Sequence, residues 1–165
     1  MFETCLKLLD LGYYELKFAF VGLEDENVWK RPAPELLSVG ELAGHLAYWE
    51  AVRLAGEGDD LSKCLIRSPL IAQQFRYHTT TLATTPSEQH PMMTAKQVCN
   101  ELLRVHKEAV AHFKEVNPDP ATRIPGCPTG FNYGEYLEYA VFHIAYHTGQ
   151  MYSVRHLLGE ETPDN

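Results

Sequence analysis

NYGEYLEYAVFHIAYHTGQMYSVRHLLG, residues 132–159, decides the fold. Asn132 stands where a helix N-cap is needed, Glu135 follows it at capping-box spacing, and Gly159 is placed to stop the helix. Steps of three and four along the stretch trace one face: Tyr136, Tyr139 or Ala140, His143, His147, Gln150 or Met151, and Val154. That face is expected to meet a protein interior. It carries a histidine pair at i, i+4, whose Cβ atoms on a helix lie about 5–6 Å apart. Both rings can converge on one metal ion, or each can be a core residue whose ring nitrogen is satisfied by a carbonyl.

Three further helices are expected upstream. The first runs from about Phe2 to Gly22, with Cys5, Leu9, Tyr13 or Gly12, Leu16 and Phe20 on one face. The second opens with Ser38 and Glu41 in a capping box and ends at Gly56 and Gly58. The third opens with Thr94 and Gln97 in the same relation and closes at Pro118. Between the second and third lie residues 59–93, with Pro69, Pro86 and Pro91; LIAQQFRY (70–77) can add a short helix, and HTTTLATTPSEQHP (78–91) reads as loop. No alternating stretch suggests a strand. The expectation is an all-α, four-helix bundle over residues 1–165 as one domain, with one long connection between helices 2 and 3.

Bulk composition narrows the function. The chain has 165 residues and a formal net charge of −8, with 14 Lys and Arg scattered along it, which disfavours nucleic acid as a partner. No apolar run approaches the roughly 20 residues of a membrane span. MFETCLKLLDLGYYELK (1–17) carries charges within its apolar pattern and reads as neither a signal nor a transit peptide, so a cytoplasmic location is expected. Cys5, Cys64, Cys99 and Cys127 show no C-x-x-C spacing and read as free thiols, with Cys127 in an exposed IPGCPTG loop.

A third histidine joins the pair. Leu42, His45, Trp49 and Val52 form the apolar stripe of the second helix, so His45 also points inward. Neighbouring helix axes lie about 8–10 Å apart, within reach of a site shared across the interface. A buried imidazole nitrogen without a partner costs about 1–3 kcal/mol, a difficulty that one divalent ion removes from three rings at once. Three neutral nitrogens leave a position open, as in catalytic metal sites. His78, His90, His112 and His156 read as loop or surface residues, while His106 shares a face with Leu102, Ala109 and Phe113 and stays a further candidate.

On ELAGHLAYWE (41–50) with His45, and HIAYHTGQ (143–150) with His143, His147, Gly149 and Gln150, the chain resembles the DinB-like superfamily of metal-dependent enzymes, which includes YfiT-like hydrolases. That resemblance implies up-down-down-up topology and a divalent metal, zinc or nickel, held by His45, His143 and His147. It also implies pairing as a homodimer and, from characterised relatives, reactions that use a low-molecular-weight thiol as cosubstrate. Family members often carry Arg between the last His and the Gly, where this chain has Thr148, so an anionic substrate held at that position is not implied.

The chemistry then divides. A metal can activate water for hydrolysis of a small molecule or activate a thiol for transfer. A non-catalytic metal-binding or stress-related interaction protein, and a bundle with buried histidines and no metal, are the alternatives. The H-E-x-x-H scheme is absent, because Ile144 occupies the place of its glutamate. No catalytic base is identified: Glu50 is rotated off the His45 face, and Glu41, Tyr139 and Gln150 are the residues placed to orient a ring or a water. Trp49, Tyr48, Tyr139, Phe142 and the long connection are the expected pocket walls.

Overall fold

The computed structural model describes residues 2–77 and 91–163. Four helices form the bundle: α1 (Phe2–Leu16), α2 (Val39–Leu54), α3 (Ala95–Val116) and α4 (Tyr133–Leu157), with no strand among the described residues. All three expected capping boxes are formed, at Ser38–Glu41, Thr94–Gln97 and Asn132–Glu135, so each helix starts where its first-turn N–H groups find side-chain acceptors. α2 packs on both α3 and α4, and α1 packs on α4. No helix of the described residues is long and apolar enough to cross a membrane.

α1 is shorter than its periodicity suggests. It ends at Leu16 and tightens into a 3-10 turn over Lys17–Phe20, and Gly22 follows in the left-handed region. Leu6, Leu9, Tyr13 and Leu16 are buried, whereas Cys5 is only half-buried. α3 ends with Asn117 left-handed, its N–H bonded to the Phe113 carbonyl, so the chain is already turning before Pro118. The stretch 70–77 contributes a single 3-10 turn, Gln73–Phe75; residues 78–90, including His78 and His90, lie outside the described residues.

α2 departs most from expectation. A single inward stripe is predicted, yet nearly every residue from Val39 to Leu54 is buried. Its outer face is covered by irregular chain rather than by another helix. The Trp29 ring lies where a side chain at Gly40 would sit, 2.5 Å from an added Cβ, and the Phe75 ring does the same at Gly44. Glycine at these two positions lets both aromatic rings come close against the helix backbone. This close approach brings the long connection against α2 next to His45.

A second buried polar group ties α1, α2 and α3 together away from His45. His106 Nδ1 meets Glu50 Oε1 at 2.6 Å, its Nε2 meets Asp10 Oδ1 at 3.0 Å, and Tyr13 stacks on the ring while its hydroxyl donates to Glu50 Oε2. His106 is thus committed to two carboxylates and does not join His45, and Glu50 points across the bundle as its off-face position implies. Burial alone would lower the His106 pKa, but Glu50 and Asp10 outweigh it and raise it. A folded-state pKa above the unfolded value near 6.5 means that this stabilisation is full below about pH 6.5 and fades as pH rises through the raised value. The stability advantage of the wild type over His106→Gln, measured by urea unfolding, is therefore expected to be largest near pH 6 and to shrink toward pH 9. An advantage that grows with pH would contradict the ion-pair account.

Candidate metal centre

α2 and α4 bring His45, His143 and His147 to one point, and among the described residues these are the group with metal-ligating geometry. His143 Nε2 lies 3.2 Å from His45 Nε2 and 2.9 Å from His147 Nε2. Imidazole nitrogens sharing a tetrahedral zinc, at bond lengths near 2.05 Å, stand about 3.3 Å from one another. The three side chains already occupy nearly that arrangement.

The far sides of two rings fix their tautomers. His45 Nδ1–H donates to the Phe75 carbonyl at 3.2 Å, and His147 Nδ1–H donates to Gln150 Oε1 at 2.6 Å. A carbonyl oxygen only accepts, so each of these nitrogens carries the proton and each Nε2 presents a lone pair. Tyr139 stacks on His143 at 5.3 Å between ring centres, and the Gln150 amide also donates to the Tyr146 hydroxyl. A neutral His143 has at most one Nε2 proton for two close nitrogen neighbours. At least one contact therefore sets lone pair against lone pair unless a cation lies between.

Protons are poor candidates for that cation. Burial, with His147 adding to it, pushes the His45 pKa down to about 3. Burial with His147 and His45 pushes His143 down to about 2. Burial also lowers His147, against the opposing bond to Gln150. At neutral pH the set is three neutral nitrogen donors, the form a borderline divalent ion binds. The residues fit such an ion.

The three histidines lie in the wall of a cavity of about 790 Å³, large enough for a small-molecule ligand. Trp49, Tyr139 and Phe142 line it as expected. Tyr48 does not: it is fully buried on the neighbouring side of α2, because one residue rotates a helical side chain by about 100°. The long connection contributes Asp59, Arg76 and Tyr77, and Pro128, Thr129 and Phe131 come from the α3–α4 loop.

Glu41 serves the site from behind. Its fully buried carboxylate takes a bidentate contact from Arg31, closes the cap at the Ser38 N–H, and accepts from the Tyr77 hydroxyl at 3.1 Å. Tyr77 in turn lies 6.1 Å from the His45 ring, centre to centre. Thr148 turns its hydroxyl back to the Ile144 carbonyl and takes no part in the cavity wall. Ile144 itself is core, packed over Gly12.

Two parts of the site are absent from the sequence reading. The Phe75 carbonyl is a backbone group of an irregular segment and leaves no trace in side-chain pattern. Arg53 does leave one: it sits eight residues after His45, two turns along the same face, and lines the same cavity.

The sequence profile of the DinB superfamily matches residues 8–151 of the chain. No curated protein and no solved structure matches it.

Proposed function

The chain belongs to the DinB superfamily, and from that premise we propose that it is a metal-dependent enzyme acting on a small molecule, with a low-molecular-weight thiol as the activated nucleophile. The observation that carries this reading is the convergence of three neutral Nε2 atoms on the wall of an accessible cavity. His45, His143 and His147 would hold a divalent ion of the kind imidazole suits, zinc or nickel as the family resemblance implies. Such an ion, when bound, lowers the pKa of a thiol or a water at its remaining position.

The protein's own groups do the rest. The Phe75 carbonyl and Gln150 hold two rings in the ligating tautomer, and Tyr139 holds the third by stacking. Trp49, Phe131 and Phe142 supply apolar surface for a bound electrophile to pack against. A thiol suits this site better than water because no described carboxylate of the cavity wall is both buried and unpaired, as a base set against a bound water would be. Of the described cavity-lining residues, Glu35 and Asp59 are the acids; Glu35 is exposed, and Asp59 is engaged by two arginines. A thiol, with an ordinary pKa near 8.5, loses its proton to solvent far more readily than water does. Hydrolysis is the second reading on the same scaffold.

Protein purified without a His-tag is expected to contain about one divalent ion per chain, and the metal-loaded form to consume thiol with a model electrophile while His45→Ala does not. A chain that takes up no metal would overturn the proposal. Metal uptake without metal-dependent turnover of any thiol or ester would leave a binding protein instead. The exposed aromatic row of Phe142 and Tyr146 on α4 supports pairing into a homodimer, which sedimentation of the same sample reports.

A further inference from the structure

The described buried side-chain atoms left without a hydrogen-bond partner are Tyr48 Oη, Arg53 Nη1 and Arg76 Nε. Buried orphans are rare in folded proteins and each calls for a reason. These three are not scattered. Arg53 Nη2 reaches Asp59 Oδ1 at 3.4 Å, Arg76 Nη2 reaches Asp59 Oδ2 at 2.7 Å, and the Tyr48 hydroxyl feels the charges of all three. The cluster therefore sets two guanidiniums against one carboxylate and leaves an uncompensated positive charge.

That charge faces the cavity. Arg53, Asp59, Arg76 and Trp49 all line it. The Arg53 side chain is only 4% exposed, whereas that of Arg76 is 40% exposed. The two guanidiniums stand 4.9 and 6.0 Å from the Trp49 ring centre, and the Trp49 indole N–H donates to the Arg76 carbonyl at 2.9 Å. The group is held in place by α2 and the connection together rather than by solvent.

We propose that Arg53 and Arg76 form a carboxylate subsite of this cavity, selecting substrates with a carboxylate at one end and an apolar body reaching toward the histidines. The proposal rests on reading the cavity as a substrate site. A carboxylate arriving at the exposed edge of Arg76 matches the planar fork of a guanidinium. A small turn of Arg53, held to Asp59 by one long contact, adds the second cation. The Trp49 ring centre lies 6.4 Å from that of His45 and 4.9 Å from the Arg53 guanidinium, so the two ends of the site are at most about 11 Å apart. That distance sets the length of the ligand.

The test uses the metal-free protein, so that a carboxylate cannot be drawn to a metal instead. Calorimetric titration compares 6-phenylhexanoate with its neutral amide. The acid is expected to bind about tenfold more tightly, the scale of a charge-assisted contact, and the preference is expected to vanish in Arg76→Gln and Arg53→Gln. Should Arg53→Gln fail to fold, 15N spectra of arginine-labelled wild-type protein replace it, with the Arg53 and Arg76 side-chain signals expected to shift with the acid and not with the amide. Equal binding of acid and amide, or unmoved arginine signals, would overturn the subsite. Zinc uptake is measured separately. Protein that takes no zinc yet prefers the acid keeps the subsite and loses the metal reading, and the converse result does the opposite.

Discussion

Replacing His143 with alanine is expected to have opposite consequences with and without metal. In the metal-free protein the change should cost little, because it relieves the contacts at 2.9 and 3.2 Å between ring nitrogens that cannot all be satisfied by protons. With zinc present at a hundred times its dissociation constant, the wild type should gain about 2.7 kcal/mol of stability. The variant should gain almost none of it, since two imidazoles remain where three converged. Gln150→Ala provides the graded control. It removes the acceptor that fixes the His147 tautomer without removing a ligand, and losses of this kind run to roughly 10–100-fold in metal affinity. Thermal unfolding with and without zinc checks both. Histidines that were ordinary core residues would give the same destabilisation in His143→Ala under both conditions.

Glu41→Ala is expected to be the most damaging single change to stability. Its carboxylate is fully buried against Arg31, whose side chain is 6% exposed, so truncation removes the bidentate contact of a guanidinium that bulk water barely reaches. Breaking one partner of a buried pair costs about 3–5 kcal/mol, and loss of the bond from the Ser38 N–H, half of the α2 capping box, adds to it. Against a total stability of about 5–15 kcal/mol for a native protein, that is a large share. In urea the midpoint should fall with little change in slope. A loss below 1 kcal/mol would contradict the buried-pair account. The effect is pH-dependent with a definite sign. Burial would raise the Glu41 pKa, yet Arg31 and the Ser38 N–H hold it below its ordinary 4.5. The carboxylate's contribution is therefore present above about pH 4.5 and lost in acid as pH falls through the depressed value.

What the sequence made legible follows from the range of the interactions involved. Capping boxes depend on residues three apart, so Ser38, Thr94 and Asn132 announced three helix starts directly. His143 and His147 share one helix, and their common face follows from its period. His45 needed only the further assumption that α2 is a neighbour of α4. Most of the failures are contacts made by irregular chain. Residues 23–37 and 59–77 have no period, so nothing local signalled that Trp29 and Phe75 would cover the outer face of α2. The same cause hid the Phe75 carbonyl and the pairing of Asp59 with Arg53 and Arg76. Composition alone makes Tyr48 and Trp49 equal candidates for the cavity wall, although only one of two adjacent residues can face a given side of a helix.

The Phe75 ring resting on Gly44 has a consequence beyond packing. His45 is anchored by the carbonyl of the same residue whose ring sits on Gly44, so the connection and the ligand set form a single cooperative unit. Coupling of this kind is reciprocal: whatever orders residues 59–77 tightens the hold on an ion, and the ion returns the same free energy to those residues. Amide hydrogens such as those of Phe75 and Arg76, bonded within their own short turn, should then exchange more slowly once the histidines are filled. The segment that looks like a linker is therefore where filling of the site is expected to register first.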